Sequence, residues 1–342
     1  MFNDELFCKI FILRCPGVGP VKYANLLKQF GDVFTVADSL RENIDVYDSV
    51  KREIDIANKL KIQFIDDNNG FYPDNLKKIK AHPPVISVRG NISTLNNECI
   101  GMVGTRHASV NGMNFMCDLA QKIVENNMVV VSGLAIGTDA ASHRGALNVK
   151  GEKQTIAVLA GGVDYIWPLE NENLYWEIVE RGAIVSEMPI GFIPKTTNFI
   201  QRNRWIAGLA NKFILGEADL KSGSMATARF AIDYGRDGWA VPSHPSDERS
   251  KGPNSLISQG KAKLCMEIED FMENKVQKDE VKKKENLSDL ESKILDSLGV
   301  VPVSESVLAE IVKENISDIK MALVMLELSG KVQKQDNGYI RL

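Results

Sequence analysis

The sequence predicts an α/β protein whose core is a mainly parallel sheet, preceded by a helical module and followed by a small third domain. Three observations support this. Six short apolar runs between residues 100 and 241 alternate with helical patterns. Proline clusters near residues 72 and 84 separate them from an earlier helical region. A lysine-rich stretch then precedes a final group of helical patterns.

Residues 1–72 form the predicted helical module. Leu6–Leu13 is apolar, and Val21–Phe30 shows helical spacing. Between them, Pro16–Pro20 reads Pro-Gly-Val-Gly-Pro, the outline of a helix-hairpin-helix turn whose N–H groups can contact a DNA phosphate. A helical docking module without a DNA contact is an equally good interpretation. Helical spacing continues over Phe34–Leu60.

Residues 85–272 form the predicted core. Short apolar strands that alternate with amphipathic helices indicate βαβ units and a parallel sheet. The predicted strands are Ile100–Val103, Met128–Val131, Thr155–Leu159, Ala183–Val185, Lys212–Leu215 and Gly238–Val241. The predicted helices include Met113–Asn126, Ala140–Lys150, Asn173–Arg181 and Met225–Arg236. In such sheets ligands bind beyond the carboxyl ends of the strands.

Small, polar or glycine residues follow every one of these strands. The segment 128–139 is the clearest case, because an apolar strand leads through Ser132-Gly133-Leu134-Ala135-Ile136-Gly137 into a helix. Glycines at such a turn allow backbone N–H groups to approach an anion, and the helix start adds partial positive charge. Asp139 is expected to cap the following helix, and His143 to make an internal hydrogen bond. The sequence therefore predicts a phosphate-binding edge.

Arginines add positive charge at the same edge. Arg106 follows the first strand, and Arg202 and Arg204 lie at the start of a predicted helix. The planar guanidinium group suits phosphate oxygens. The alternative for Arg106 or Arg204 is an internal pair with Glu187 or Glu217. Phe199 and Trp205 are able to stack on bases, although a buried apolar anchor is the commoner role for each.

Residues 273–286 form a predicted linker, and residues 287–342 a winged-helix-like domain. Three helical patterns, Ser288–Leu298, Ser304–Lys313 and Ser317–Ser329, precede a predicted hairpin that turns at Asn337-Gly338. Winged helices often read DNA through the third helix. Here Asp318 and Glu327 accompany only Lys320 on that helix, so protein docking is at least as good an interpretation.

Composition excludes several classes. The formal net charge is −4 and the pI is about 5.7, so any nucleic-acid site has to be a local basic patch. The five cysteines are scattered without a CxxC pair, which predicts neither a zinc site nor a disulfide framework. No metal, cofactor or catalytic residue is expected, because no nucleophile–base pairing or ligand cluster has a recognised spacing. The start of the chain and the lack of a long apolar run predict a cytoplasmic protein without membrane contact.

The ordered motifs resemble those of the DNA-processing protein A family, also called Smf. They are Gly104-Thr105-Arg106, Ser132-Gly133-Leu134-Ala135-x-Gly137-x-Asp139-x-x-x-His143, Ser186-Glu187-x-Pro189-x-Gly191, Arg202-Asn203-Arg204-x-Ile206-Ala207-Gly208-Leu209 and Glu217-Ala218-x-x-x-Ser222-Gly223-Ser224. The resemblance covers about residues 1–342 and is densest from Ile100 to Leu264.

The resemblance implies a helical N-terminal module, a Rossmann-like core and a winged-helix-like domain. It further implies a protein without enzymatic activity that binds and protects single-stranded DNA, forms a homodimer through the core and loads the RecA recombinase onto DNA during natural transformation. The residues expected to contact DNA are Gly104, Thr105, Arg106, Ser132, Gly133, Leu134, Ala135, Gly137, Lys195, Arg202, Asn203, Arg204, Ser222, Gly223 and Ser224.

Two other functions stay open. A nucleotide phosphoribohydrolase on a related core would need a Pro-Gly-Gly-x-Gly-Thr-x-x-Glu loop, whereas the nearest segment here, Ser222–Ala228, has no glutamate. A structural scaffold that has lost its DNA site is the other alternative. Base release from nucleoside monophosphates and retention of an oligonucleotide distinguish the three.

Overall fold

The structure is a computed structural model that describes residue 2 and residues 4–152, 154–272, 288–299, 301–335 and 337–342. It divides into two compact units, Met1–Asn274 and Lys275–Leu342. The predicted linker, residues 273–286, lies outside the described residues. Among those residues, no helix has the length and apolar character that crossing a bilayer requires.

The first unit contains helices and strands in alternation. In chain order they are α1 (Glu5–Arg14), α2 (Pro20–Phe30), α3 (Val33–Ser39), α4 (Ile44–Lys59), β1 (Ile62–Asp66), α5 (Asp74–Lys77), β2 (Val85–Gly90), β3 (Cys99–Val103), α6 (Val110–Glu125), β4 (Val129–Ser132), α7 (Thr138–Asn148), β5 (Thr155–Val158), α8 (Glu172–Arg181), β6 (Ala183–Ser186), α9 (Thr196–Leu209), β7 (Lys212–Leu215), α10 (Gly223–Asp233), β8 (Asp237–Ala240), α11 (Lys251–Ser258) and β9 (Lys263–Leu264).

The described strands of this unit form one sheet in the order β1-β2-β6-β5-β4-β3-β7-β8-β9. The seven strands from β6 to β9 in that order are parallel, while β1 and β2 are antiparallel to their neighbours. The chain builds outward from β3 to β6 on one side and from β7 to β9 on the other. The order therefore reverses between β3 and β7, and ligands of open α/β sheets bind at such a switch point.

Apolar side chains cover both faces of the sheet, as expected for parallel strands. Val103 of β3 packs in one buried cluster with Trp205 and Leu209 of α9. Ile100 and Met102 point to the other face and pack with Met116 of α6. Because successive strand residues alternate between faces, β3 is fixed between two helical layers and its carboxyl end is held in place.

The N-terminal helices pack against the sheet through paired charges. The ammonium group of Lys9, which is buried, lies 2.9 Å from Asp66 and 2.7 Å from Asp67. Arg14 pairs with Glu53 of α4 at 2.8 Å. The segment 34–60, for which helical spacing was predicted, consists of the two helices α3 and α4. Ile62–Asp66, which the prediction did not treat as a strand, pairs with Val85–Arg89 of β2.

The second unit contains three helices and a hairpin within its described residues. They are α12 (Asp289–Ser297), α13 (Glu305–Val312), α14 (Ile316–Leu328), β10 (Val332–Gln335) and β11 (Gly338–Arg341). Leu308, Leu323 and Leu326 are among its buried residues. The α/β fold class, the mainly parallel sheet, the N-terminal helices and the winged helix are thus confirmed. The domain boundaries stay a prediction.

Candidate functional site

A cavity of about 770 Å³ opens at the point where the strand order reverses. The segment after β3, the segment before α10 and the first turns of α9 line it. Nine of the predicted site residues border this cavity: Gly104, Thr105, Arg106, Ala135, Arg202, Asn203, Ser222, Gly223 and Ser224. The fold therefore brings together residues that are more than 100 positions apart in the chain.

The predicted site residues that do not border the cavity are Ser132, Gly133, Leu134, Gly137, Lys195 and Arg204. Ser132 and Leu134 are buried, and the Ser132 hydroxyl donates to the Met102 carbonyl at 2.6 Å. Lys195 is exposed immediately before α9. Gly133 lies beneath the cavity against Arg202.

The exposed edge of the cavity carries a cation and two aromatic rings. The guanidinium carbon of Arg106 lies 5.1 Å from the ring centre of Trp167 and 5.8 Å from that of Phe199. The two rings are 4.6 Å apart. Among the described residues no carboxylate pairs with Arg106, which is exposed. We call Arg106, Trp167 and Phe199 the rim.

The inner wall of the cavity is built around Arg202. Its Nη1 donates to the carbonyl oxygen of Gly133 at 2.6 Å and to that of Val158. Burial lowers the pKa of Arg202 to about 10, although the nearby Asp139 carboxylate acts in the opposite direction. The guanidinium group therefore remains charged at neutral pH. We call Gly133, Asp139, Val158 and Arg202 the floor.

Two backbone donors of the turn after β4 face Asp139. The N–H of Ala135 donates to Asp139 Oδ2 at 3.4 Å, and the N–H of Gly133 also faces this carboxylate. Burial raises the pKa of Asp139, which Arg202 and these donors partly offset. For Gly133 and Ala135 the expectation of N–H groups open to a phosphate is therefore corrected, because the chain supplies its own carboxylate to them.

Gly137 has a geometric role in the same turn. Its φ is +78°, and a Cβ at this position would lie 2.5 Å from the Thr105 carbonyl oxygen. Thr138 donates from its backbone N–H to that same oxygen at 3.2 Å. Because only glycine tolerates both the conformation and the close approach, Gly137 joins the turn after β4 to the segment after β3.

Arg204 is held within the unit by Glu187. Its Nη2 lies 3.2 Å from a Glu187 carboxylate oxygen, and its guanidinium carbon lies 3.9 Å from the ring centre of Trp205. Burial raises the pKa of Glu187, and the Arg204 charge counteracts this. The internal pair considered from the sequence is therefore the observed arrangement for Arg204. Glu217 accepts instead from the Ser109 hydroxyl at 2.5 Å.

The start of α9 explains these positions. The sequence prediction placed the helix start near Gln201, whereas α9 begins at Thr196. Arg202 consequently lies in the second turn on the same face as Ile206 and Leu209, which are buried against the sheet. Of the three predicted phosphate-binding arginines, Arg106 is exposed at the cavity, while Arg202 and Arg204 have internal partners.

One polar link joins the α9 and α10 walls, and a second hydrogen bond caps α10. Asn203 donates from its side-chain amide to the Gly223 carbonyl at 3.1 Å. Ser222 is the N-cap of α10, and its hydroxyl accepts from the Met225 N–H at 3.3 Å. The sequence reasoning missed Arg229, an exposed residue that also borders the cavity. It lies seven residues, about two helical turns, after the predicted site residue Ser222, and this spacing along α10 is the signal that identifies it.

The part of the chain that the structure describes contains no candidate metal site. There, no group of three or more His, Cys, Asp or Glu side chains is placed to hold an ion. His143 is buried, and its Nδ1 lies 2.7 Å from the Thr155 hydroxyl. Burial and the positive charge of Arg202 and Arg144 lower its pKa to about 3. The internal hydrogen bond expected for His143 is thus present.

The family model described as DNA recombination-mediator protein A matches residues 62–275. The chain belongs to the DNA-processing protein A family. A second family model, the DprA winged helix domain, matches residues 278–338.

Curated relatives support this membership. Protein Smf of Escherichia coli is 32% identical over 285 residues, covering 80% of this chain and 75% of that protein. The DNA processing protein DprA of Bacillus subtilis is 35% identical over 239 residues, covering 69% of this chain and 80% of that protein. The chain spans half the length of Protein Smf from Synechocystis, to which it is 37% identical over 202 residues.

Two solved structures are similar to this fold. DNA processing protein A from Streptococcus pneumoniae is 30% identical, has a TM-score of 0.65 and covers 79% of this chain and 97% of its own. DNA processing protein A from Helicobacter pylori is 29% identical, has a TM-score of 0.57 and covers 62% of this chain and 94% of its own. The latter structure is described as showing a single-stranded DNA binding mode.

Proposed function

We propose that the cavity at the switch point binds single-stranded DNA. The observation that carries this proposal is the rim, where an exposed guanidinium group that pairs with no carboxylate of the described residues lies beside two adjacent aromatic rings. Single-strand binding proteins combine cations that follow the phosphates with rings on which bases stack. The Helicobacter pylori relative, described as binding single-stranded DNA, supports the same ligand.

The polar groups around the rim suit the sugar-phosphate backbone of a nucleic acid, which is the same for every base sequence. Thr105, Asn203, Ser222 and Lys221 border the same cavity as Arg106. Hydroxyl and amide groups of this kind position a sugar-phosphate backbone without reading base edges. The floor supports the cavity from below by holding the turn after β4.

Binding, and not catalysis, is the proposed activity. Asp139 is the carboxylate among the described residues that border the cavity, and it accepts from the Ala135 N–H. A phosphoribohydrolase needs a carboxylate that is free to act on the ribose, whereas the Asp139 carboxylate already accepts a hydrogen bond from the protein. Release of free base from nucleoside monophosphates by the chain would overturn this part of the proposal.

We further propose that the chain acts as a recombination mediator that loads RecA onto single-stranded DNA in the cytoplasm during natural transformation. The family model's description as a recombination mediator supports this step. A homodimer formed through the core belongs to the same proposal. Filament formation by RecA on DNA coated with single-strand binding protein is the assay, and Arg106→Ala is expected to slow the loading.

The decisive experiment measures oligo-dT binding by fluorescence anisotropy at two salt concentrations. Arg106→Ala is expected to weaken binding and to reduce the slope of log K against log salt by about 0.7, the value for one phosphate contact on a single strand. Arg144→Ala is the matched control, because Arg144 is exposed on α7 outside the cavity. Equal affinity and slope for Arg106→Ala and the parent chain would reject the site.

A further inference from the structure

The third helix of the second unit is apolar on the face that it turns to solvent. On α14, Met321, Val324 and Met325 are 73%, 50% and 55% exposed. The opposite face supplies Ile319, Leu323 and Leu326 to the core of the unit. A helix that is apolar on both faces is usually buried on both. This exposed face is therefore a candidate contact surface.

The apolar strip on α14 consists of Met321, Val324 and Met325. Its spacing of i, i+3 and i+4 forms one continuous stripe. In a winged helix that reads DNA, this helix enters the major groove. A stripe of methionine and valine offers no charge to phosphates and few hydrogen bonds to base edges. The strip therefore fits an apolar protein surface and not a nucleic acid.

The charges beside the strip identify which protein surface fits. Lys320 and Glu327 are seven residues apart, so they lie about 20° from each other around the helix and about 10 Å apart along it. Both therefore stand on the same flank of the strip. Lys320 already lies 3.4 Å from Glu305 of α13, but its side chain remains 56% exposed. It is thus accessible to a second carboxylate.

We propose that the strip on α14 docks against the same strip of a second copy of this chain, with the two helices antiparallel. A two-fold axis that passes between residues 323 and 324 places Lys320 of each copy opposite Glu327 of the other. The same axis brings Val324 next to its own counterpart and Met321 close to Met325. The surface is then self-complementary in both charge and shape, as an isologous contact requires.

The other flank agrees with this arrangement. At the same register Asp318 meets Ser329 of the second copy, so no like charges face each other there. Flanking charges set the orientation of helix pairs in this way. The contact is separate from the core dimer proposed above and does not depend on DNA binding.

The test cross-links the full chain with a short bis-maleimide. Val324→Cys places a thiol next to the proposed axis and is expected to give covalent dimer. Gln333→Cys is the matched control, because residue 333 is exposed on β10 of the same unit. The parent chain measures the background from its five native cysteines, of which Cys117 is partly exposed.

Charge reversal in the Val324→Cys chain decides between a second copy and any other partner. Lys320→Glu alone and Glu327→Lys alone are each expected to lower the yield of covalent dimer several-fold, because like charges then face each other. The double reversal is expected to restore it. A Val324→Cys yield no higher than that of Gln333→Cys, unchanged yields in the single variants, or a double variant that stays low would each overturn the proposal.

Discussion

The floor and the rim of the cavity use the same residue type for opposite purposes. In the floor, Arg202 is buried and donates to two backbone carbonyls beside Asp139. In the rim, Arg106 is exposed beside Trp167 and Phe199, and no described carboxylate pairs with it. The Arg202 guanidinium group makes its hydrogen bonds within the protein, whereas that of Arg106 keeps its donors available for a ligand.

This difference shows that the number of arginines near an edge is a poor measure of the charge available there. A buried guanidinium group has exchanged its hydration for fixed partners, and it contributes to the shape of the site. An exposed one contributes to affinity through the counterions that DNA releases. Floor variants should therefore change stability first, and rim variants should change binding first.

Arg202→Met is expected to have the largest effect. It leaves the Asp139 carboxylate buried without its nearby cation and leaves the Gly133 and Val158 carbonyls without their donor. Removing one partner of a buried charged group costs about 3–5 kcal/mol. Urea unfolding of the parent and the variant, followed by circular dichroism, measures the free energy of unfolding.

Arg106→Met is the matched control for that measurement. It removes the same group from an exposed position, where substitutions usually change the free energy of unfolding by less than about 0.5 kcal/mol. Equal losses in the free energy of unfolding would mean that Arg202 contributes no more to stability than Arg106, and the distinction between floor and rim would fail.

The second prediction concerns pH and His143, which lies beneath the floor. Its pKa is about 3 in the folded chain, against about 6.5 for an unperturbed histidine. Between these values the unfolded chain binds more protons than the folded chain, so stability falls as the pH falls from 6.5 towards 3. Lowering the pH from about 7 to about 5 is expected to cost about 2 kcal/mol through this residue.

Urea midpoints at the two pH values measure this loss. In His143→Leu the loss between them should shrink by that amount, because the variant has no imidazole to protonate there. His107→Leu, which changes an exposed histidine of the same unit, is the control and should follow the parent chain. A His143→Leu chain with the parent's full pH dependence would show that other groups cause it.

Much of the fold could be predicted from the sequence because the core strands are short apolar runs bounded by glycine. Met128–Val131 and Lys212–Leu215, for example, are predicted within one residue of β4 and β7. β1 was missed because Ile62–Asp66 lies at the sheet edge and ends in Asp66, which pairs with Lys9. That pair is a contact across 57 residues, which local patterns do not report.

The sequence predicted the location of the candidate site better than the orientation of its individual side chains. Glycine and polar residues after β3 and β7 mark the edge where the cavity lies, since strand tails of a parallel sheet converge. Whether Arg202 points outward depends on the start of α9, and helix ends are the least reliable part of a sequence prediction. Because α9 begins at Thr196, Arg202 lies within the helix on the buried face of Ile206 and Leu209, and not in the first turn where the prediction placed it.

The smallest predicted effect tests the aromatic part of the rim. Trp167→Ala removes the larger of the two rings beside Arg106 and leaves Phe199 in place. Stacking contributes about 1–3 kcal/mol per base, and we expect about 1 kcal/mol here because one ring remains. The measurement compares the affinities of oligo-dT and of an oligonucleotide with the same phosphates but abasic sugars.

The reason for the two oligonucleotides is that stacking requires bases and charge does not. Trp167→Ala should weaken oligo-dT binding and leave abasic binding unchanged, whereas Arg106→Ala should weaken both. Trp176→Ala is the matched control, since Trp176 is 43% exposed on α8 and stacks on Arg89 with a guanidinium-to-ring distance of 4.5 Å, away from the cavity. If Trp167→Ala and Trp176→Ala lose the same affinity for oligo-dT, the Trp–Arg pair at the cavity binds DNA no better than a Trp–Arg pair elsewhere. The rim would then not differ from the remaining surface.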